Sequence, residues 1–462
     1  VYRECIAAQP EWVAPRLNLV SVLIDDGRFH EAETACATLI RLAPGLAEAH
    51  RFLGAALGHQ GRTAEALSAY RRAAECAPED ALTLRSYGGS LADNGCLHAA
   101  RRVLARADAL EPDALGMAQL RSMIELAHGL FNDGWDAYRQ RPAYLFQSNK
   151  WADPRITQTL ADDLTGRHVL VRREQGLGDE LFFLRHLPQL TARGARVTVL
   201  ASGRIVPMLA RAGIGGNLAF IPDNETPPAS ADVHMFCGDL PHALQNMPSS
   251  PLQRNPLPAA CAMRDFDMWL GAFYPRPAPS LRIPALPEAV ARMQQQLRAL
   301  GPPPYTGITW RAGTAARDQR GADWALSKEA PLATLGEALR EVSGTLVALQ
   351  RLPAAGEIEA FAQACGRPLA DLTALNDALE DMLALLHLLD DYIGVSNTNM
   401  HLRAAAGRSA RVLLPNPAEW RWMRWGRASP WFPGFRCYRQ SLRGDWSGAM
   451  AELARDLAAA PR

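Results

Sequence analysis

Leu53 to Pro78, LGAALGHQGRTAEALSAYRRAAECAP, is the stretch on which the reading of the N-terminal part turns. Gly61 has counterparts at Gly27 and Gly95, each 34 residues away, and Ala66 has counterparts at Ala32 and Ala100. Pro78 belongs to a series of Pro10, Pro44, Pro78 and Pro112 at the same interval. Three registers in phase mean a structural repeat, which has to be recognised before anything else is assigned. Each unit reads as two helices. The glycine ends the first where a positive φ is needed, the alanine marks where the second packs close, and the proline stops it.

Within the middle unit, Leu53, Gly54, Leu57, Ala66, Tyr70, Ala73 and Pro78 place large, small, large, small, aromatic, small and proline in sequence. That pattern resembles the tetratricopeptide repeat (TPR). Three units span about 13 to 112. A degenerate helical pair follows in 114 to 145, with Asn132, Asp133, Gly134, Trp135 and Tyr138, and is expected to cap the array against the next domain. Solenoids of this kind grip peptides or helices on a concave face and carry no chemistry themselves. Recruitment of a protein is the functional reading, and a spacer or dimerisation surface is the alternative.

Composition narrows the field. At 462 residues, with 48% apolar and 21% charged residues and a net charge of +1, the chain has room for two or three domains and lacks the basic bias of a nucleic-acid binder. No apolar run reaches the length of a membrane span and no signal-peptide pattern opens the sequence, so a cytoplasmic protein is expected. Eight cysteines include no C-x-x-C pair, which points to buried thiols rather than zinc or redox centres.

From about 165 the pattern changes to short β-rich runs alternating with helical ones, as in a parallel sheet covered on both faces. Strands are expected at His168 to Arg173, Arg196 to Ala201, Leu218 to Pro222 and Val233 to Phe236. A proline-rich stretch, Pro251 to Pro287, marks a crossing between lobes. A second series follows at Thr306 to Trp310, Thr345 to Gln350, Tyr392 to Ser396 and Arg411 to Leu414. Two such halves place a ligand in the cleft between them, at the carboxyl ends of the strands.

Three loops carry the candidate chemistry. After the first strand, Glu174-Gln175-Gly176-Leu177-Gly178-Asp179 opens a helix. Gly176 and Gly178 let the backbone approach a ligand. Asp179 reads either as a helix cap or as a general base facing the cleft. After Trp310, a loop brings Arg311, Thr314, Arg317 and, further on, Lys328, the donors needed to hold a diphosphate, or else a solvated basic loop. After the strand ending at Ser396, Asn397, Thr398 and His401 begin a helix whose free amides attract anions. A lone helical histidine is more often structural. Trp420, Trp422, Trp425 and Trp431 crowd the next stretch and read mostly as core.

Together these residues resemble bacterial TPR-containing proteins whose C-terminal domain is similar to the heptosyltransferase family, glycosyltransferase family 9. The resemblance covers about 10 to 450. It rests on the 34-residue array, the Trp135 segment, Glu174 to Asp179, Gly307 to Trp310, Gly394 to Leu402, and Trp420-Arg421-Trp422 followed by Ser429 to Phe432 and Pro433, with Arg439-Gln440 and Asp445-Trp446. It implies an α-helical TPR solenoid followed by an α/β GT-B domain of two Rossmann-like halves. The enzyme would be inverting and metal-independent, with no cofactor beyond its nucleotide-sugar co-substrate. Asp179 would be the catalytic carboxylate, the general base. Arg311, Thr314, Arg317, Lys328, Gln350, Asn397, Thr398 and His401 would lie on the donor side, Gln350 at the strand tip that meets the nucleoside. The family usually has aspartate at the position of Asn397. Asparagine removes a negative charge, which suits an acidic donor sugar such as a nucleotide-linked nonulosonic acid, or signals lost activity.

The expected organisation is a TPR array in 1–113, a helical cap and linker in 114–160, an acceptor-side half in 161–285, a donor-side half in 286–440 and a C-terminal helix in 441–462. The expected function is transfer of a sugar to a protein acceptor recruited by the array, flagellin being the acceptor that such relatives suggest. The rivals are a non-catalytic TPR/GT-B adaptor and a transferase acting on lipopolysaccharide or another glycan.

Overall fold

The computed structural model describes residues 1–112, 116–151, 153–244, 278–312 and 328–459. After a short helix α1 (Tyr2–Ala8), the N-terminal part runs as antiparallel helical pairs: α2 (Val13–Asp25) with α3 (Phe29–Leu42), α4 (Ala47–His59) with α5 (Thr63–Cys76), and α6 (Ala81–Asp93) with α7 (Leu97–Leu110). The glycine of each intervening turn has a positive φ, 71° at Gly27, 76° at Gly61 and 79° at Gly95. Gly54 and Gly88 are required for a different reason. A Cβ on either would lie 2.8 Å from the Tyr70 ring or 2.6 Å from the Leu104 side chain, so the two helices of each pair touch where the sequence is smallest.

The pair expected to be degenerate keeps the repeat geometry. Helices α8 (Met117–Ala127) and α9 (Phe131–Tyr138) flank Gly129, whose φ of 80° continues the series one period past Gly95. Gly134 packs directly on Leu126. What distinguishes this pair is where its second helix goes. Phe131, Trp135 and Tyr138 leave the solenoid and enter the main core of the α/β part. The Trp135 ring lies 5.3 Å from that of Trp420 and 5.8 Å from that of Trp431, and Phe131 lies 5.0 Å from Trp431. Helix α10 (Pro142–Trp151) follows.

Among the described residues, the α/β part contains two all-parallel sheets. The first has strands β1 (His168–Arg172), β2 (Arg196–Ala201), β3 (Leu218–Pro222) and β4 (Val233–Phe236) in the order β3-β2-β1-β4. The second has β5 (Tyr305–Thr309), β8 (Thr345–Ala348), β9 (Ala370–Asp371), β10 (Asp391–Val395), β11 (Arg411–Leu414) and β12 (Arg436–Arg439) in the order β12-β11-β10-β5-β8-β9. A two-residue ribbon, β6 (Arg311–Ala312) with β7 (Lys328–Glu329), sits beside it. Central strands such as β1 are buried along their whole length, as expected where helices cover both faces. Edge strand β12 was not anticipated: the tryptophans and prolines before it mask its short RCYR run. The C-terminal helix, Ser447–Ala458, buries Ala449, Met450 and Leu453 in the core of the second sheet.

Both sheets and the helical array are joined by buried contacts. Arg141, just after α9, makes a bidentate ion pair with Glu174 at 2.7 Å and a second pair with Asp239 at 2.7 Å. Arg185 donates to the Trp431 carbonyl at 2.8 Å and to Ser280 at 3.0 Å; burial pulls its pKa down to about 9. The array rests on the second half through its turns. The Ala64 amide and the Thr63 hydroxyl both donate to the Leu442 carbonyl, at 3.1 and 3.0 Å, and Asn416 donates to the Thr63 hydroxyl at 2.9 Å. A Cβ on Gly95 would lie 2.2 Å from the Trp425 ring. Among the described residues, no helix is long and apolar enough to cross a membrane.

Because Trp135 is shared by the helical array and the α/β core, Trp135→Ala is expected to destabilise the whole chain by about 3–5 kcal/mol rather than loosen the array alone. Denaturant unfolding followed by far-ultraviolet circular dichroism checks this. A loss confined to a minor helical phase would contradict it.

Candidate functional site

The site lies where the loops after β1 and β10 meet. The backbone leaves β1 through Glu174, which is buried and held by Arg141, and turns at Gln175, where φ is 60°. Burial raises the Glu174 carboxyl above its usual range, with Arg141 opposing. Helix α11 (Leu177–Phe183) then begins, with Asp179 in its first turn. One Asp179 oxygen accepts the Gly176 amide at 3.2 Å, and the other accepts from Arg421. Asp179 therefore satisfies a local amide and also reaches a guanidinium 242 residues away in sequence. A quarter of its side chain remains exposed. Next to it, Glu180 is fully buried on Arg173 and the Ser202 amide, and burial pushes its carboxyl up to about 7.

Facing α11 is helix α12 (Thr398–Ala405). Gly178 is where the two helices touch: a Cβ there would lie 3.0 Å from the His401 ring carbon Cδ2 and 3.3 Å from Nε2. His401 is buried among Phe182 and Phe432, at ring distances of 6.3 and 5.3 Å, and its Nδ1 has no partner among the described residues. Burial, reinforced by Arg421, holds its pKa well below the usual value, so the ring is neutral.

Asn397 is the N-cap of α12. Its oxygen accepts the Met400 amide at 3.1 Å, and its nitrogen donates to the Thr309 hydroxyl at 2.8 Å and to the Tyr392 hydroxyl at 3.2 Å. The cap is thereby bolted to β5 and β10. Thr398 is half-buried at the first helical position.

Lys328 on β7 pairs with Glu419 at 2.7 Å, and Ser396 donates to the same Glu419 oxygen at 3.0 Å. Glu419 also pairs with Arg421. Burial opposes the Glu419 charge, but Lys328 and Arg421 overcome it and hold the carboxyl well below its usual range. Burial likewise opposes the charge on Arg421, and Asp179 and Glu419 together keep it protonated. The guanidinium carbon lies 4.6 Å from the centre of the Phe182 ring and 4.5 Å from that of Trp420.

Gly178, Asp179, Lys328, Asn397, Thr398 and His401 are thus gathered at one junction. Arg311, on the ribbon strand paired with that of Lys328, and Gln350 are tied up by internal partners. Gln350 accepts the Trp310 and Arg311 amides at 3.1 and 3.0 Å and donates to the Arg311 and Arg351 carbonyls at 3.1 and 3.0 Å. Arg311 pairs in bidentate fashion with Glu357, at 2.9 and 2.7 Å, and donates to the Leu352 carbonyl. Burial works against the Glu357 charge, and hydrogen bonds from Arg311 and Trp310 prevail, bringing the carboxyl down to about 2. Thr314 and Arg317 lie outside the described residues. Sequence reasoning missed Glu419 and Arg421. The available signal was a pair of charged residues set among tryptophans that were themselves read as core, since a charge among buried rings must be paired.

No protein-family model matches the chain. Protein FlbA of Caulobacter vibrioides is 26% identical over 479 aligned residues, covering 98% of this chain and 74% of that protein, so the alignment runs through the helical array and both sheets. Among solved structures, a glycosyl transferase family 9 protein from Veillonella parvula overlaps 65% of this chain and 98% of its own at 11% identity and a TM-score of 0.43. MamA overlaps 33% of this chain and 86% of its own at 20% identity and a TM-score of 0.28.

His401 titrates below the unfolded-state value near 6.5, so between the two values the unfolded chain binds more protons and stability falls as pH is lowered. Between pH 7.5 and 5.5 this one residue contributes a loss on the order of 1 kcal/mol. Urea unfolding at both pH values should show His401→Gln with a correspondingly smaller difference than the parent. An unchanged difference would place the ring in water.

Proposed function

We propose that the chain is a glycosyltransferase of the GT-B type that moves a sugar from a nucleotide-sugar to a protein hydroxyl, the acceptor being brought by the helical array. The observation that carries this reading is the junction itself. A carboxylate from the loop after β1 and an ammonium with a helix N-terminus from the other half meet at the carboxyl ends of two parallel sheets. In the reaction, Asp179 takes the proton of the acceptor hydroxyl as its oxygen bonds the anomeric carbon. The bond from that carbon to the phosphate oxygen breaks, and its electron pair leaves with the nucleoside diphosphate. Lys328, Thr398 and the amides at the start of α12 that Asn397 leaves uncapped stabilise the leaving charge. Asn397 serves here as the bolt that orients that turn.

Asp179→Ala is expected to lower transfer by about 100- to 10,000-fold while nucleotide-sugar binding persists. Thermal shift across nucleotides and nucleotide-sugars first identifies the donor class, and transfer is then read by mass spectrometry. Full turnover by the variant would remove Asp179 from the chemistry. Flagellin is the acceptor we put forward. Unchanged flagellin glycan masses in a strain lacking this chain would exclude it.

A second reading, a binding scaffold without turnover, draws support from the internal pairing of Asp179 with Arg421 and of Lys328 with Glu419. Nucleotide binding without transfer onto any acceptor would decide for it.

A further inference from the structure

Asp179, Arg421, Glu419 and Lys328 form a continuous chain of alternating charge that starts on α11 and ends on β7. Its two anions and two cations balance. Arg421 is shared: one terminal nitrogen holds Asp179 and the other holds Glu419, and the guanidinium packs against the Phe182 and Trp420 rings. Glu419 is shared too, among Arg421, Lys328 and Ser396. Arg421 is buried and the Glu419 side chain is only 11% exposed, so the charges interact strongly and any change at one end is felt by the next partner.

Resting on the transferase reading, we propose that Arg421 and Glu419 are positioning residues that exchange partners when an anionic diphosphate binds Lys328. The incoming anion draws Lys328 from Glu419. Glu419 then commits to Arg421, and the hold of Arg421 on Asp179 weakens. The carboxylate on the acceptor side is released only when the donor side is filled. This gives an order of events, donor before acceptor, and keeps Asp179 engaged while the cleft lacks a donor.

Such an exchange is a free-energy coupling, so it runs in both directions. Removing the charge of Asp179 lets Arg421 turn wholly to Glu419, which frees Lys328. Asp179→Asn should therefore tighten binding of a nucleoside diphosphate by about fivefold. Titration calorimetry with UDP, GDP, CDP, ADP and inorganic pyrophosphate on the full chain measures this. In a Glu419→Gln background, and equally in a Lys328→Met background, the effect of Asp179→Asn should vanish because the chain is cut. Direct repulsion between Asp179 and the anion would instead persist in both. Lys328 is partly exposed, so its variant supplies the cycle if Glu419→Gln does not fold.

Tightening that survives undiminished in either background, or no tightening at all, overturns the exchange and leaves the transferase reading standing. Failure of the parent chain to bind any of the five probes overturns both. A structural role alone would lower melting temperature without linking Asp179 to diphosphate affinity. Arg421→Lys, which keeps the charge but offers a single nitrogen, should retain part of the linkage and Arg421→Met none.

Discussion

A guanidinium removed from water is among the most expensive groups a protein can hold, and Arg421 is surrounded by aromatic rings. It is tolerated because one carboxylate comes from its own half and another from the opposite half. That requirement fixes much else. The two halves must stay close enough for Asp179 to reach across, Gly178 must be small enough to let His401 in beside it, and the helix carrying Phe182 must present its ring to the cation. The junction is therefore organised around a shared positive charge, and the ligand-facing groups are arranged about it.

The second organising element is the cluster of rings contributed by α9, α11 and the segment from Trp420 to Phe435. Trp422 stacks on Phe432 at 4.7 Å, and Phe182 packs edge-on against Trp420 at 5.2 Å. Three stretches far apart in sequence are thereby joined into one core, and the last helical pair of the array belongs to the α/β body as much as to the solenoid. Arg141 makes the same connection with charge, bridging Glu174 and Asp239.

Local features were easy to read. The turn glycines, the close-packed Gly54 and the apolar runs of β1, β2 and β10 are each dictated by neighbours within a few residues, and period and composition report them directly. The loop from Gly176 to Asp179 and the helix start after Ser396 were legible for the same reason. What escaped was partnership at long range. Nothing near Gln350 announces that its amide clips the backbone of Trp310 and Arg311, and nothing near Arg311 announces Glu357. Glu419 and Arg421 escaped because the tryptophans around them signal core, and the carboxylate that makes Arg421 tolerable lies in the other half.

The turns at Gly61 and Gly95 do double duty, reversing the chain and pressing against Gln440 and Trp425. The first helical pair has a core of its own, Val20, Leu23, Ala32, Cys36 and Leu39 with Ala49 and Ala56 of the next pair, all drawn from the solenoid. Evolution is consequently free to add or drop whole 34-residue modules ahead of Gly61, changing the reach of the array like segments of a telescoping arm. The modules behind it are mounted on the α/β body and cannot be exchanged without disturbing their seat.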